Sequence, residues 1–149
     1  MSLPKHVHGA DTLNVEVVTD ATELITRFIM NFVESIKFGF SNYVNFQGRS
    51  RRSGFWYWYL FTVLVSLVFN VLSGGKSESF FGFLGGLAAL AIFLPSLAYS
   101  VRRLHDINKS GWFILFALIP LVGWIFLLVW YVKDSEPGTN RFGENPKGA

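Results

Sequence analysis

Apolar runs and charged clusters alternate along this chain on a scale too long for a small globular core. Residues 53–75, 79–101 and 110–132 are each uncharged, and each runs 23 residues. At the helical rise such a run reaches about 34 Å, enough to cross a hydrocarbon core of about 30 Å with a modest tilt. The pattern predicts three spans, at about 55–73, 80–101 and 112–132. Upstream the period changes. Leu24, Ile25, Phe28, Ile29, Phe32, Val33, Ile36 and Phe40 recur at spacings of three and four, with Glu23, Arg27, Asn31, Glu34 and Lys37 on other faces. That predicts an amphipathic helix over 22–47, lying in the interface or packed on the bundle. Residues 1–21 hold Pro4, Gly9 and the short alternation Leu13, Val15, Val17, which reads as a flexible extension or one short strand. The tail, 133–149, is rich in turn formers and is expected to be irregular. The fold class expected is all-α integral membrane: three transmembrane helices within a bundle over 48–132, plus the interfacial helix.

Composition agrees with this reading. The chain is 51% hydrophobic and 15% charged over 149 residues, too small to surround three charge-free runs in water. Its net charge of +3 comes from Lys and Arg placed mostly beside the spans, so a cytoplasmic flank explains it and nucleic acid is not an expected partner. With no cysteine, disulfides, thiolate metal sites and cysteine nucleophiles are excluded. The first 24 residues carry Asp11, Glu16, Asp20 and Glu23 with no continuous apolar core, so no signal peptide is expected and the first span directs insertion.

Local residues sharpen the picture. Arg49, Arg51 and Arg52 precede the aromatic run Phe55–Tyr59, as at a headgroup layer. Pro95 removes a helical hydrogen bond from the carbonyl of Ala91, which a neighbour or water must then satisfy. Gly82, Gly86, Ala89, Ser96 and Ser100 offer a face for close helix approach, used for packing within the chain. Thr62, Ser66 and Asn70 form a polar stripe at helical spacing, suited to interhelical hydrogen bonds.

Orientation follows from the basic residues. Arg49, Arg51, Arg52, Arg102, Arg103 and Lys109 oppose Lys76 alone, placing the N-terminal region and the 102–109 loop in the cytoplasm. Three crossings then put the C-terminus in the periplasm, yet Lys133, Arg141 and Lys147 make that tail basic too. The alternative is that Pro120 and Gly123 break the third span into a re-entrant hairpin. Straight passage is the primary expectation.

Candidate chemistry concentrates in the sequence RRLHD. Arg102 and Asp106 are four apart, Arg103 and Asp106 three apart, and His105 is three after Arg102. The cluster can grip an anion, phospholipid phosphate being the nearest, or it can be an interfacial ion pair that ends a helix. His105 and Asp106 point about 100° apart on a helix and no nucleophile motif accompanies them, so no enzyme is expected. Asn108 or Ser110 suits the cap of the following helix. His6, His8 and Asp11 lack further ligands for a closed metal site, and no metal or cofactor is expected.

Four motifs in order, FQGRSRRSGFWYWYLF, LPSLAYSVRRLHDINKSGWF, LIPLVGWI and GTNRFGENP, make residues 30–147 resemble the bacterial membrane family known as domain of unknown function 805, the YhaH-like inner-membrane proteins. Gly48, Arg49, Arg52 and Trp56 match the family pattern in the first block. Arg102, Arg103, His105, Asp106, Ser110, Gly111 and Trp112 match it in the second, and Asn140, Arg141, Gly143 and Pro146 in the last. The chain departs in its extension, 1–29, and in Glu144-Asn145 before the final Pro. The resemblance implies a multi-pass bacterial inner-membrane protein of unassigned activity. The expected function is a non-enzymatic binding or structural module whose cytoplasmic face, built from Arg49, Arg51, Arg52, Arg102 and Arg103 with His105 and Asp106, contacts anionic lipid or an acidic partner. The tail motif around Asn140 and Arg141 has no assigned role. Membrane lipids are the expected partners, with a homo-oligomer or another membrane protein beside them. A small oligomeric permease or channel is the competing class, and an intramembrane enzyme comes third.

Overall fold

A computed structural model describes residues 8–148, with side chains from Val17 onward. The elements are α1 (His8–Ser41), α2 (Arg52–Ser73), α3 (Phe80–Asp106), a 3₁₀ segment (Gly111–Leu118) and α4 (Val122–Val132). Extended structure among the described residues is limited to one bridge, Asn140 with Gly143.

Two helices, α2 with 22 residues and α3 with 27, are long and apolar enough to cross a membrane. Their ends follow local chemistry. Gly74 adopts φ 60°, and the amides of Gly74 and Gly75 return to the carbonyls of Val71 and Asn70, the left-handed exit that glycine permits. Ser79 opens α3 by accepting from the Gly82 amide at 3.0 Å. Between the helices, Trp58 donates to Ser96 at 2.9 Å and Tyr59 meets Ser100 at 3.0 Å. The seam runs through Gly85, whose hydrogen faces Phe69 so closely that a Cβ would sit 2.9 Å from that side chain. Gly86 faces open space, and Gly82 packs on the carbonyls of Lys76 and Ser77. Ala89, Ser96 and Ser100 thus face α2 as expected, whereas the close approach falls at Gly85 and not at Gly82 or Gly86.

The amphipathic helix is longer at its start and shorter at its end than expected. It begins at His8, includes the Leu13–Val17 alternation read as a possible strand, and stops at Ser41, with a turn after it. Three alternating residues between acids are too few to hold a strand without a partner. From Phe28 onward α1 packs on the bundle: Phe28 lies edge-on to Tyr57 at 5.2 Å and Phe40 to Trp58 at 5.3 Å. Gly39 lies flat on the Trp58 indole, where a Cβ would come within 2.2 Å. Just past the helix, the Tyr43 hydroxyl donates to the Ala91 carbonyl, the oxygen left without its helical donor by Pro95. The partner that carbonyl requires is therefore an aromatic side chain from the turn that follows α1.

The third uncharged run does not form one continuous helix. Gly111–Leu118 winds as 3₁₀, the chain reverses at Pro120-Leu121, and α4 returns. Leu121 holds φ 62° and ψ −69°, and Val122 donates to the Pro120 carbonyl at 2.8 Å. This is a γ-turn of the rarer positive-φ kind, which is strained for a branched residue. The arms close on each other because residue 123 is glycine: a Cβ there would stand 1.8 Å from the Phe116 carbonyl oxygen. Trp130 packs edge-on to Phe113 and Phe116 at 5.3 and 5.4 Å, and Trp124 donates to the Ala117 carbonyl at 2.9 Å. Eleven residues of α4 reach about 16 Å, half the hydrocarbon thickness. Residues 110 and 133 consequently lie at the same end of the α2–α3 pair, in place of the expected full crossing. Ser110 caps the 3₁₀ segment through the Trp112 amide at 3.4 Å, while Asn108 turns with φ 58°.

Candidate functional site: a buried arginine–aspartate cap

Asp106 is the last residue of α3, and it is fully buried. A carboxylate in that position is tolerable only when its oxygens are occupied. Arg49, entering from the extended segment before α2, gives Nε to Oδ1 at 3.0 Å. Arg103, one turn back on α3, gives Nη1 to Oδ2 at 2.6 Å, and Ser135 of the tail donates to the same oxygen at 2.6 Å. The remaining guanidinium donors turn to backbone. Arg49 reaches the carbonyls of Glu136 at 2.6 Å, Gly138 at 2.8 Å, Asp106 at 3.1 Å and Gly143 at 3.2 Å. Arg103 reaches Tyr131 at 3.2 Å and also Lys133. Two cations and one anion thereby fasten the end of α4 and the tail to α3. Backbone bonds add to this, from Glu136 to the Asp106 carbonyl and from Ser50 to the Arg102 carbonyl, each at 3.0 Å.

The tail motif docks on the same surface. Asn140 donates to the His105 carbonyl at 2.9 Å and to Glu136 Oε2 at 3.1 Å. Phe142 stacks on the His105 ring with centroids 3.8 Å apart, and Arg141 covers the Phe142 ring at 4.7 Å while donating to the Asn108 carbonyl at 3.2 Å. His105 Nδ1 lies 3.1 Å from the Gly48 carbonyl. A carbonyl only accepts, so Nδ1 carries the hydrogen. Gly138 (φ 69°) and Gly143 (φ 128°) supply the left-handed turns of this fold-back.

The seven candidate residues therefore divide. Arg49, Arg103 and Asp106 come together as the ion-pair core, their donors and acceptors occupied internally. His105 holds the Gly48 carbonyl and the Phe142 ring. Arg52 is exposed and donates to the Val132 carbonyl at 3.1 Å, and Arg51 is half-buried beside Asn31 Oδ1 at 3.3 Å. Arg102 is only 1% exposed; its Nε reaches the Ala98 carbonyl at 3.3 Å, and its carbon centre lies 4.6 Å over the Phe38 ring. Ser135, Glu136 and Phe142 escaped the sequence reading, although the glycine-bracketed Asn-Arg-Phe was a visible sign of a tight turn. Among the described residues no three His, Asp or Glu cluster at metal-ligand spacing. His6 and the side chains of His8 and Asp11 lie outside the described part.

Three kinds of hollow surround the cap and spans. At the amino end of α2 a cavity of about 250 Å³ is lined by Glu34, Ser50, Arg51, Gly54 and Tyr99 among others. An apolar cleft of about 520 Å³ lies between α3 and the 3₁₀ segment, with His105 at its polar edge. Farther down, Thr62, Ser66 and Asn70 line two shallow grooves between α2 and α3.

Residues 43–144 match the family model described as a protein of unknown function, DUF805. The inner membrane protein YhaH of Escherichia coli K12 is 38% identical over 109 residues, covering 71% of this chain and 90% of that protein. The inner membrane protein YhaI of the same strain is 39% identical over 110 residues, covering 71% of this chain and 89% of that protein. No solved structure matches.

Proposed function

The chain belongs to the DUF805 family of membrane proteins, and from that premise we propose a non-enzymatic inner-membrane module with two full spans, one re-entrant hairpin and a basic cytoplasmic cap that engages anionic headgroups. The observation that carries this is the return of the hairpin. It gathers Arg49, Arg51, Arg52, Arg102, Arg103, Lys109, Lys133, Arg141 and Lys147 at one end, against Lys76 at the other. Nine against one supports this arrangement over three crossings, for which a basic tail is a conflict. Arg52, Lys133, Arg141 and Lys147 are exposed there, each worth about 1 kcal/mol of attraction to an anionic leaflet. His105 shares its hydrogen bond with a carbonyl in place of a serine or carboxylate, which supports a role other than catalysis. A reporter fused after Ala149 reads cytoplasmic on this proposal, and periplasmic signal overturns it. In nanodiscs, Arg52→Gln with Lys133→Gln lowers the enrichment of phosphatidylglycerol around the protein; unchanged enrichment removes the lipid role.

A second reading, an oligomeric permease, draws on the Thr62–Ser66–Asn70 stripe in the grooves between the spans. Solute flux in proteoliposomes, abolished by Ser66→Leu, supports it over the binding module.

A further inference from the structure

Two buried side-chain atoms among the described residues have no hydrogen-bond partner, Ser50 Oγ and Arg102 Nη2. Their backbones meet, the Ser50 amide donating to the Arg102 carbonyl at 3.0 Å. Ser50 lies two residues before α2, and Arg102 comes from α3, its guanidinium stacked on the Phe38 and Tyr99 rings that line the cavity beside the amino end of α2. That helix begins without a side-chain cap, and its first bond at this end runs from the Phe55 amide to the Arg51 carbonyl. The amides of Arg52, Ser53 and Gly54 are left with no acceptor, as the first turn of any helix leaves them. An orphan hydroxyl, an orphan guanidinium nitrogen and free amides are all donors toward an acceptor that the chain does not supply. Leaving them so in an apolar setting is unfavourable.

The cavity beside them fits an acceptor of definite kind. Ser50 is 2% exposed and stands in its wall, with Arg51, Gly54 and Tyr99. Gly54 is required here, because a Cβ would lie 2.6 Å from the Tyr99 hydroxyl oxygen. A helix amino end flanked by guanidinium and hydroxyl groups recognises a tetrahedral oxyanion. One wall is of the opposite sign: Glu34, exposed on α1, lines the same cavity. A bare anion meets repulsion there, whereas an anion carrying an ammonium finds a partner. The cavity, of about 250 Å³, has room for a small headgroup.

We propose that this cavity, walled by Ser50, Arg51 and the amino end of α2 with Arg102 beneath and Glu34 at the rim, binds a phosphate–ammonium headgroup, the phosphate on the donors and the ammonium on Glu34. The assignment rests on the cap lying at headgroup level, and is independent of which leaflet that is. It is tested with the full chain, stripped of lipid in detergent, by native mass spectrometry. The probes are dihexanoyl phosphatidylethanolamine, dihexanoyl phosphatidylglycerol and O-phosphoethanolamine. One ethanolamine lipid binds saturably, and phosphatidylglycerol binds about tenfold more weakly, as loss of a charge-assisted contact implies. Ser50→Ala and Arg102→Gln each weaken binding about tenfold, and Glu34→Gln abolishes the preference between the two lipids. Equal binding of O-phosphoethanolamine assigns the site to a soluble headgroup compound, and binding of the lipid alone assigns it to the bilayer. Either result sustains the site. No saturable binding, equal affinity for both lipids in the unmodified chain, or an unaltered Ser50→Ala variant overturns it. Arg52→Gln with Lys133→Gln leaves this binding intact, so loss of the outer basic rim and loss of this cavity are separable.

Discussion

Residues 79–101 and 110–132 are both 23 residues long and uncharged, and each contains a proline, yet one forms a continuous helix long enough to cross a membrane and the other a hairpin. Pro95 sits inside α3 without breaking it, because the carbonyl it strands receives the Tyr43 hydroxyl. Pro120 is followed by a positive-φ Leu121 and by Gly123, and the Phe116 carbonyl that it strands is taken by the Ile119 amide in a tighter turn. The difference teaches that a proline is judged by what its neighbourhood supplies. The return of the second run is held at its far end by Arg103, which grips the Tyr131 and Lys133 carbonyls. That carries the comparison into the cap.

The largest effect is expected where the hairpin is locked. Asp106→Ala leaves Arg49 and Arg103 buried without their carboxylate, a loss of about 3–5 kcal/mol. Thermal unfolding in detergent drops accordingly, and a cysteine placed at residue 140 becomes reactive. A variant as stable as the parent shows that the ion pair is dispensable. Next is Gly123→Leu, which drives a side chain into the Phe116 carbonyl and opens the hairpin at about 1–3 kcal/mol or more. With Pro120→Ala added, the run is free to become the helix its hydropathy allows, and the tail moves to the other side of the membrane. Thiol labelling of an engineered terminal cysteine, in a chain with no native cysteine, reads that side directly. Tyr43→Phe strands the Ala91 carbonyl at about 1–3 kcal/mol, giving a lowered melting temperature and faster amide exchange near Pro95; an unchanged rate there means that water serves as well.

The smallest effect concerns the tail's outer edge. Lys147 holds the Asp134 carboxyl below its ordinary range, with help from the Ser135 amide. A depressed folded value means that this contact contributes above the unfolded carboxyl range and is lost as pH falls below it. Labelling at residue 146 rises only in that acidic window, and the rise disappears in Lys147→Gln. Asp134 is fully exposed, so the effect is confined to local opening.

What the sequence made legible was whatever depends on neighbours along the chain. The two helices of span length, the role of Ser110, the need of the Ala91 carbonyl and the meeting of Arg103 with Asp106 all follow from spacing. Residues 8–21 belong to α1 where a flexible extension or a short strand was expected, because acids and a three-residue alternation hide the helical period there. The hairpin was foreshadowed by Pro120, Gly123 and a tail as basic as the 102–109 loop, but hydropathy over the whole run outweighed them. Least legible was the partner set of Arg49. Its acceptors are backbone oxygens at Glu136, Gly138 and Gly143, and a carbonyl is the same on every residue, so no side-chain pattern announces it.

Arg49 enters the bundle early in translation, and three of its acceptors emerge some ninety residues later. Until they arrive, that guanidinium has only Asp106 to turn to. Closure of the cap therefore waits on the segment that follows α4: a nascent chain halted at the end of α4 leaves Arg49 short of three of its carbonyl acceptors, a charged end still open where the longer chain closes it.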